Sequence, residues 1–103
     1  MYLLSFYVPK PALESVKQAV FAAGAGKYHH YDHCCWQTEG TGQFRPLPGS
    51  HPNIGTQQQL AQVTEYKVEM ICEDTHVKSI IAALLLAHPY EEVAYHLIKL
   101  EQP

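Results

Sequence analysis

Nothing in this chain supplies a disulfide framework. Its three cysteines, Cys34, Cys35 and Cys72, are odd in number, two are neighbours, and no C-x-x-C pair occurs. Reduced thiols are the expectation, and with them a cytoplasmic location. Long apolar runs are also missing. None reaches the roughly 20 residues of a membrane-spanning helix, so no membrane partner is expected. The opening MYLLSFYVPK lacks the basic start, long apolar stretch and cleavage site of a secretory signal. Cations are few: seven Lys/Arg against ten Asp/Glu give a net charge of -3. They form no basic patch, which argues against a nucleic-acid partner. The phosphate-loop spacings G-x-x-x-x-G-K-[ST] and G-x-G-x-x-G are absent. There is no repeat or low-complexity tract, and 103 residues fit one domain spanning positions 1–103.

Histidine and tyrosine are plentiful, seven of each, and most lie between Tyr28 and His51 or from His88 onward. Around them the pattern is that of an α+β domain. Tyr2 to Val8 reads as a strand buried on both faces. Pro9 and Pro11 open a helix whose apolar positions are Leu13, Val16, Val20 and Ala23, and Gly24 and Gly26 end it. His30 to Glu39 reads as a second strand, with His33 and Cys35 on one face. Gly40 and Gly42 predict a tight turn, with Gln43 to Leu47 returning as a short arm before a proline- and glycine-rich loop. Val63 to Cys72 alternates as a half-buried strand. Asp74 is the expected N-cap of a second helix with Val77, Ile80, Ile81, Leu84 and Leu85 as its apolar stripe. Pro89 stops that helix, and Val93 to Leu100 forms the last strand. The order is βαββαβ: two helices on one face of an antiparallel sheet, the ferredoxin-like sandwich, with a long hairpin arm.

Two groups of residues carry candidate chemistry. His33 and Cys35, two apart on one strand face, suit a borderline cation such as zinc or copper, with His88 as a further ligand. The alternative is that the cysteines pack as small apolar residues and the histidines decorate a surface. His88, Tyr90, Glu91 and Glu92 form a polar group after the second helix. They are candidates for ligand binding, or else His88 satisfies the helix's last carbonyls and Tyr90 packs on the sheet. Arg45 is a candidate for an anion or for pairing with a local acidic residue, and Phe44 for an aromatic plug in an interface or groove. A cysteine-dependent enzyme using Cys34 or Cys35 with a histidine base is a third reading, but no oxyanion-stabilising arrangement can be read beside them.

Three stretches together carry a family resemblance. They are Tyr31-Asp32-His33-Cys34 with Gly40-Thr41-Gly42-Gln43-Phe44-Arg45-Pro46, then Gly49-Ser50-His51-Pro52-Asn53-Ile54-Gly55, then His88-Pro89-Tyr90-Glu91-Glu92. From Gly24 onward the chain resembles the inserted domain of the NIF-three-like, or YqfO-like, family. It departs from the family pattern at Tyr28-His29. The resemblance implies a domain like the PII signalling proteins and CutA, which are ferredoxin-like trimers. It also implies that the dinuclear metal centre of the larger family members, held in a flanking domain, has no counterpart in these residues. The expectation is a non-catalytic homotrimeric module that binds a small ligand, a metal ion or a partner protein at its subunit clefts.

Overall fold

The computed structural model describes residues 1–101, so the last two positions of the expected 1–103 domain lie outside the described residues. Strand β1 (Tyr2–Pro9) leads through a short turn into helix α1 (Leu13–Ala22). Strands β2 (Trp36–Phe44) and β3 (Ala61–Cys72) follow, then helix α2 (Val77–Ala87) and strand β4 (Tyr95–Lys99). The antiparallel sheet has the order β2-β3-β1-β4, which places β1 and β3 in the centre. The helices share one face and pack against each other. Among the described residues no helix is long and apolar enough to cross a membrane.

Alternation along the central strands builds the core. Leu4, Phe6 and Val8 of β1 and Val68, Met70 and Cys72 of β3 point under the helices. There they meet Leu13, Val16, Val20 and Phe21 of α1 and Ile80 and Leu84 of α2. Burial pushes the Cys72 thiol up to about 11, so it stays protonated at neutral pH. The opposite face carries no helix. Leu3 and Tyr7 are therefore only half-buried, and β1 is not enclosed on both sides as its composition suggests.

Several elements differ from their sequence-based expectations. The second strand begins at Trp36, not His30. Residues before it follow Gly26, whose positive φ of 76° and close approach to the Cys34 backbone admit no side chain. Its amide binds the Ile71 carbonyl at 2.9 Å, and its own carbonyl accepts the Cys34 N–H at 2.8 Å. Tyr28 and Tyr31 close a small turn with reciprocal backbone bonds, and His29 and His33 take positive φ values of 54° and 56°. That geometry ends any strand alternation. Gly40 and Gly42 form no turn; they continue β2 in register with Glu65 and Val63, and the reversal falls in residues 45–60.

Asp74 caps no helix. It pairs with the Lys99 ammonium at 2.6 Å and with the amino terminus, and these two hydrogen bonds hold its carboxyl at about 2. Leu85 is exposed, because the buried stripe of α2 narrows to Ile80 and Leu84. The last strand is shorter than expected, Tyr95–Lys99.

Leu84 is fully buried, whereas Leu86, two residues on, is 90% exposed. Leu84→Asp should remove several kcal/mol, out of the roughly 5–15 kcal/mol typical of a domain, by burying an unpaired charge. Leu86→Asp should change stability by no more than about 0.5 kcal/mol. Thermal melts of the two variants check this; equal melting temperatures would show the stripe is misplaced.

Candidate functional site

The ladder between β1 and β4 ends at Phe6 and Tyr95. One further bond, Tyr7 N–H to Ala94 at 3.2 Å, extends it, and then the Tyr7 carbonyl faces a strand that has stopped. His88 fills the vacancy. Pro89 forces its backbone to an extended ψ of 137° at the end of α2, which turns the imidazole inward. Nε2 lies 2.7 Å from the Tyr7 oxygen, and Nδ1 lies 3.0 Å from the Tyr90 amide. Only the neutral tautomer serves both partners, with Nε2–H donating to Tyr7 and Nδ1 accepting from Tyr90. His88 is 6% exposed, and burial lowers its pKa against the opposing pull of the Tyr7 carbonyl and the Glu65 charge. His88 therefore binds no last-turn carbonyl of the helix through its side chain. It pins residues 88–92 to the end of β1.

That pinning sets Tyr90 over the sheet. Its hydroxyl donates to Glu65 Oε2 at 2.9 Å, and its ring lies 4.8 Å from that of His88 and 6.3 Å from that of Phe44. Burial first, and Glu65 second, raise the Tyr90 phenol above its ordinary value. Glu91 accepts the His51 amide at 3.0 Å, tying residues 88–92 to the long loop. Between these pieces lies a cleft of about 450 Å³. Phe44, Pro46, Pro52 and Ile54 supply its apolar wall; Tyr7, Glu65, Tyr90, Glu91 and Glu92 supply most of its polar groups, and Arg45 stands at its exposed rim.

Arg45, Tyr90, Glu91 and Glu92 thus meet at one cleft. Sequence reasoning missed Tyr7, Glu65 and Gly42. Glu65 sits on the face of β3 that alternation assigns to water. The available signal was the G-T-G of β2, read as a turn. Glu65 faces Gly40 in the ladder, and its carboxylate lies where a side chain on Gly42 would be, with a Cβ there falling 1.8 Å from Oε1.

His33, Cys35 and His88 are not brought together. The His33 ring packs on Phe21 at 4.8 Å and its Nδ1 lies 3.2 Å from Asp32. Gly26, which fixes that segment, bonds to Ile71 opposite Leu3, whereas His88 bonds to Tyr7. Four strand residues, roughly 13 Å, separate those anchor points. Cys35 packs against the core, and the Cys34 thiol is directed to the Asp32 carbonyl at 3.6 Å, not to a histidine. Among the described residues no group of three or more His, Cys, Asp or Glu is placed to hold a metal ion.

The fold is a PII/CutA-like α+β fold. CutA from Xylella fastidiosa superposes with a TM-score of 0.70 at 17% identity, over 99% of this chain and 85% of that one. The PII-like protein CutA from Nostoc sp. PCC 7120 gives 0.70 at 12% identity, over 98% and 82%. More specifically, the chain is similar to a part of NIF3-related proteins. A Bacillus cereus protein related to NIF3 matches with a TM-score of 0.84 and 37% identity, over 98% of this chain and 26% of that one. The GTP cyclohydrolase 1 type 2 homolog of Bacillus subtilis (strain 168) is 42% identical over 99 residues, 96% of this chain and 26% of the relative. Its counterpart in Mycobacterium tuberculosis is 41% identical over 97 residues, 94% and 26%. The chain spans about a quarter of the length of these curated relatives. No family model matches it.

The His88 contacts carry a pH prediction. Unfolded, His88 titrates near the ordinary imidazole value of 6.5; folded, it titrates lower. Between those two values the unfolded chain holds a proton that the folded chain does not. The His88 contribution is therefore fully present above about pH 6.5 and is lost as pH falls toward the folded value. The melting temperature should drop between pH 7 and pH 5, and by less in His88→Gln. An equal drop in both proteins would show that His88 is not held neutral.

Proposed function

We propose that this chain is a non-catalytic, homo-oligomeric module of the PII/CutA-like kind, working in the cytoplasm, that binds a small ligand in the cleft beneath Tyr90. The observation that carries this reading is the cleft itself. Aromatic rings and carboxylates from β1, β2, β3 and residues 88–92 converge on a hollow large enough for a small molecule, as ligand sites generally require. The cyclohydrolase name borne by the relatives belongs to chains of which this one spans 26%. The cleft also suits a nucleoside triphosphate poorly, since Glu65, Glu91 and Glu92 oppose a single rim cation, Arg45. The cysteine-nucleophile reading has little support, because the Cys34 thiol is directed to the Asp32 carbonyl and Cys35 packs against the core.

Assembly is supported by what the fold leaves uncovered. The helix-free face of the sheet carries half-buried Leu3 and Ile71 beside exposed Ile98 in one row, and half-buried Glu69 beside exposed Trp36 in another. Trp36 is 70% exposed, Tyr31 73% and Ile98 55%. Aromatic residues at this exposure are favoured in interface centres, and the resemblance to PII and CutA points to three subunits. Light scattering at micromolar concentration should report about three times the 11.6 kDa chain mass. A monomer over a wide concentration range would overturn the oligomeric part. For the ligand part, a fragment screen read by amide spectra should give hits that shift Phe44, Glu65 and Tyr90; hits confined elsewhere would overturn the cleft.

A further inference from the structure

The cleft's lining also determines which ligand charge it favours. Glu65 presents its carboxylate from β3 into the space left by Gly42. One oxygen, Oε2, accepts from the Tyr90 hydroxyl, and among the described residues no lysine or arginine forms an ion pair with Glu65. Lys67, on the same face of β3, is committed to Glu69 at 2.8 Å. Tyr90 spends its only side-chain proton on Glu65 and so has none to give an anion. The rings of Phe44 and Tyr90, tilted by 53°, and of Tyr7 stand around the same space. Aromatic faces attract cations through their quadrupole, and a half-buried carboxylate beside them adds to that field. Glu91, tied to the His51 amide, contributes the same sign. An anion would depend on Arg45, which is exposed at the rim.

We propose that the cleft selects a small organic cation, an ammonium or guanidinium on an apolar stem. The cation sits against Glu65 and the stem between Phe44 and Tyr90. This rests on the cleft being the ligand site. Protonated amines meet both demands of the lining at once: a charge-assisted bond to Glu65 and apolar contact with the rings and with Pro46 and Ile54.

Three probes of one shape separate the possibilities: 2-phenylethylammonium, 2-phenylethanol and 3-phenylpropionate, each titrated into the assembled protein at pH 7 and followed by amide spectra. The ammonium should shift Phe44, Glu65 and Tyr90 saturably and bind at least about tenfold tighter than the alcohol, with the acid weakest. Glu65→Gln should abolish the preference. Gly42→Ala should weaken it with no change of charge, because the added methyl displaces the Glu65 carboxylate. If the alcohol or the acid binds the cleft as tightly, or the preference survives Glu65→Gln, the charge assignment is overturned and the cleft stands. If all three shift only residues outside the cleft, both readings fall. If none binds, the cation class is overturned, and the fragment screen decides the cleft separately.

Discussion

Strand β1 is hydrogen-bonded along both edges, to β3 over Tyr2–Pro9 and to β4 over Tyr2–Phe6, and everything else is positioned from it. Its inward side chains Leu4, Phe6 and Val8 are fully buried beneath the helices. Burying three such side chains contributes on the order of 5–9 kcal/mol, similar to the whole net stability of a domain. The strand cannot shift register without moving that apolar row to the uncovered face. Its C-terminal end is therefore a fixed point, and the cleft is built there.

The cleft follows from strands of unequal length meeting at that point. β1 stops at Pro9 opposite Glu65, while β3 extends back to Ala61 and pairs with β2 as far as Phe44. Beyond Pro9 the sheet narrows to a two-stranded ribbon, and β4 ends sooner still on the other side of β1. A backbone carbonyl stranded at such a step needs a partner. His88 meets that need at Tyr7, and the same ring orients the Tyr90 amide. One neutral imidazole thus satisfies the sheet edge and sets the roof of the cleft. The connection runs from Tyr7 through His88 and Tyr90 to Glu65 and crosses from β1 to β3 without using a sheet hydrogen bond.

The architecture was legible because period-two and helical patterns in β1, β3, α1 and α2 encode burial directly. Leu4, Phe6 and Val8 alternate, and Val68, Met70 and Cys72 alternate opposite them. What misled was residue chemistry that acts through non-local contacts. Gly40 and Gly42 look like turn residues, yet they lie in mid-strand, and Gly42 leaves room for the side chain of Glu65. His33 and Cys35 look like strand neighbours, yet the tight packing at Gly26 bends the chain before it can pair. Asp74 looks like a cap, but Lys99, distant in sequence, holds it. Arg45, Tyr90, Glu91 and Glu92 stood out as isolated polar groups. That they share a cleft depends on the loop of residues 45–60 folding onto residues 88–92, as the bond from His51 to Glu91 records, and no local pattern encodes that contact.

The uncovered face and the cleft are not independent surfaces. Tyr7, Gly42 and Glu65 border both the cleft and a second hollow on the open face, whose other walls include Trp36, Thr38 and Lys67. The open face is too apolar at Leu3, Ile71 and Ile98 to resemble an ordinary wet surface, and too charged at Lys67 and Glu69 to be a core. Because Lys67 and Glu69 already pair within the chain, a neighbour covering them would not bury an unpaired charge. A second copy seated there would lie against Glu65 and Tyr7 on the same face of the sheet as the cleft. Contacts at the open face would then bear on the same carboxylate that a ligand meets, and the Glu65–Tyr90 hydrogen bond would be shared between assembly and binding. Coupling of that kind is reciprocal: if a bound ligand favours the assembled form, assembly raises affinity for the ligand by the same factor.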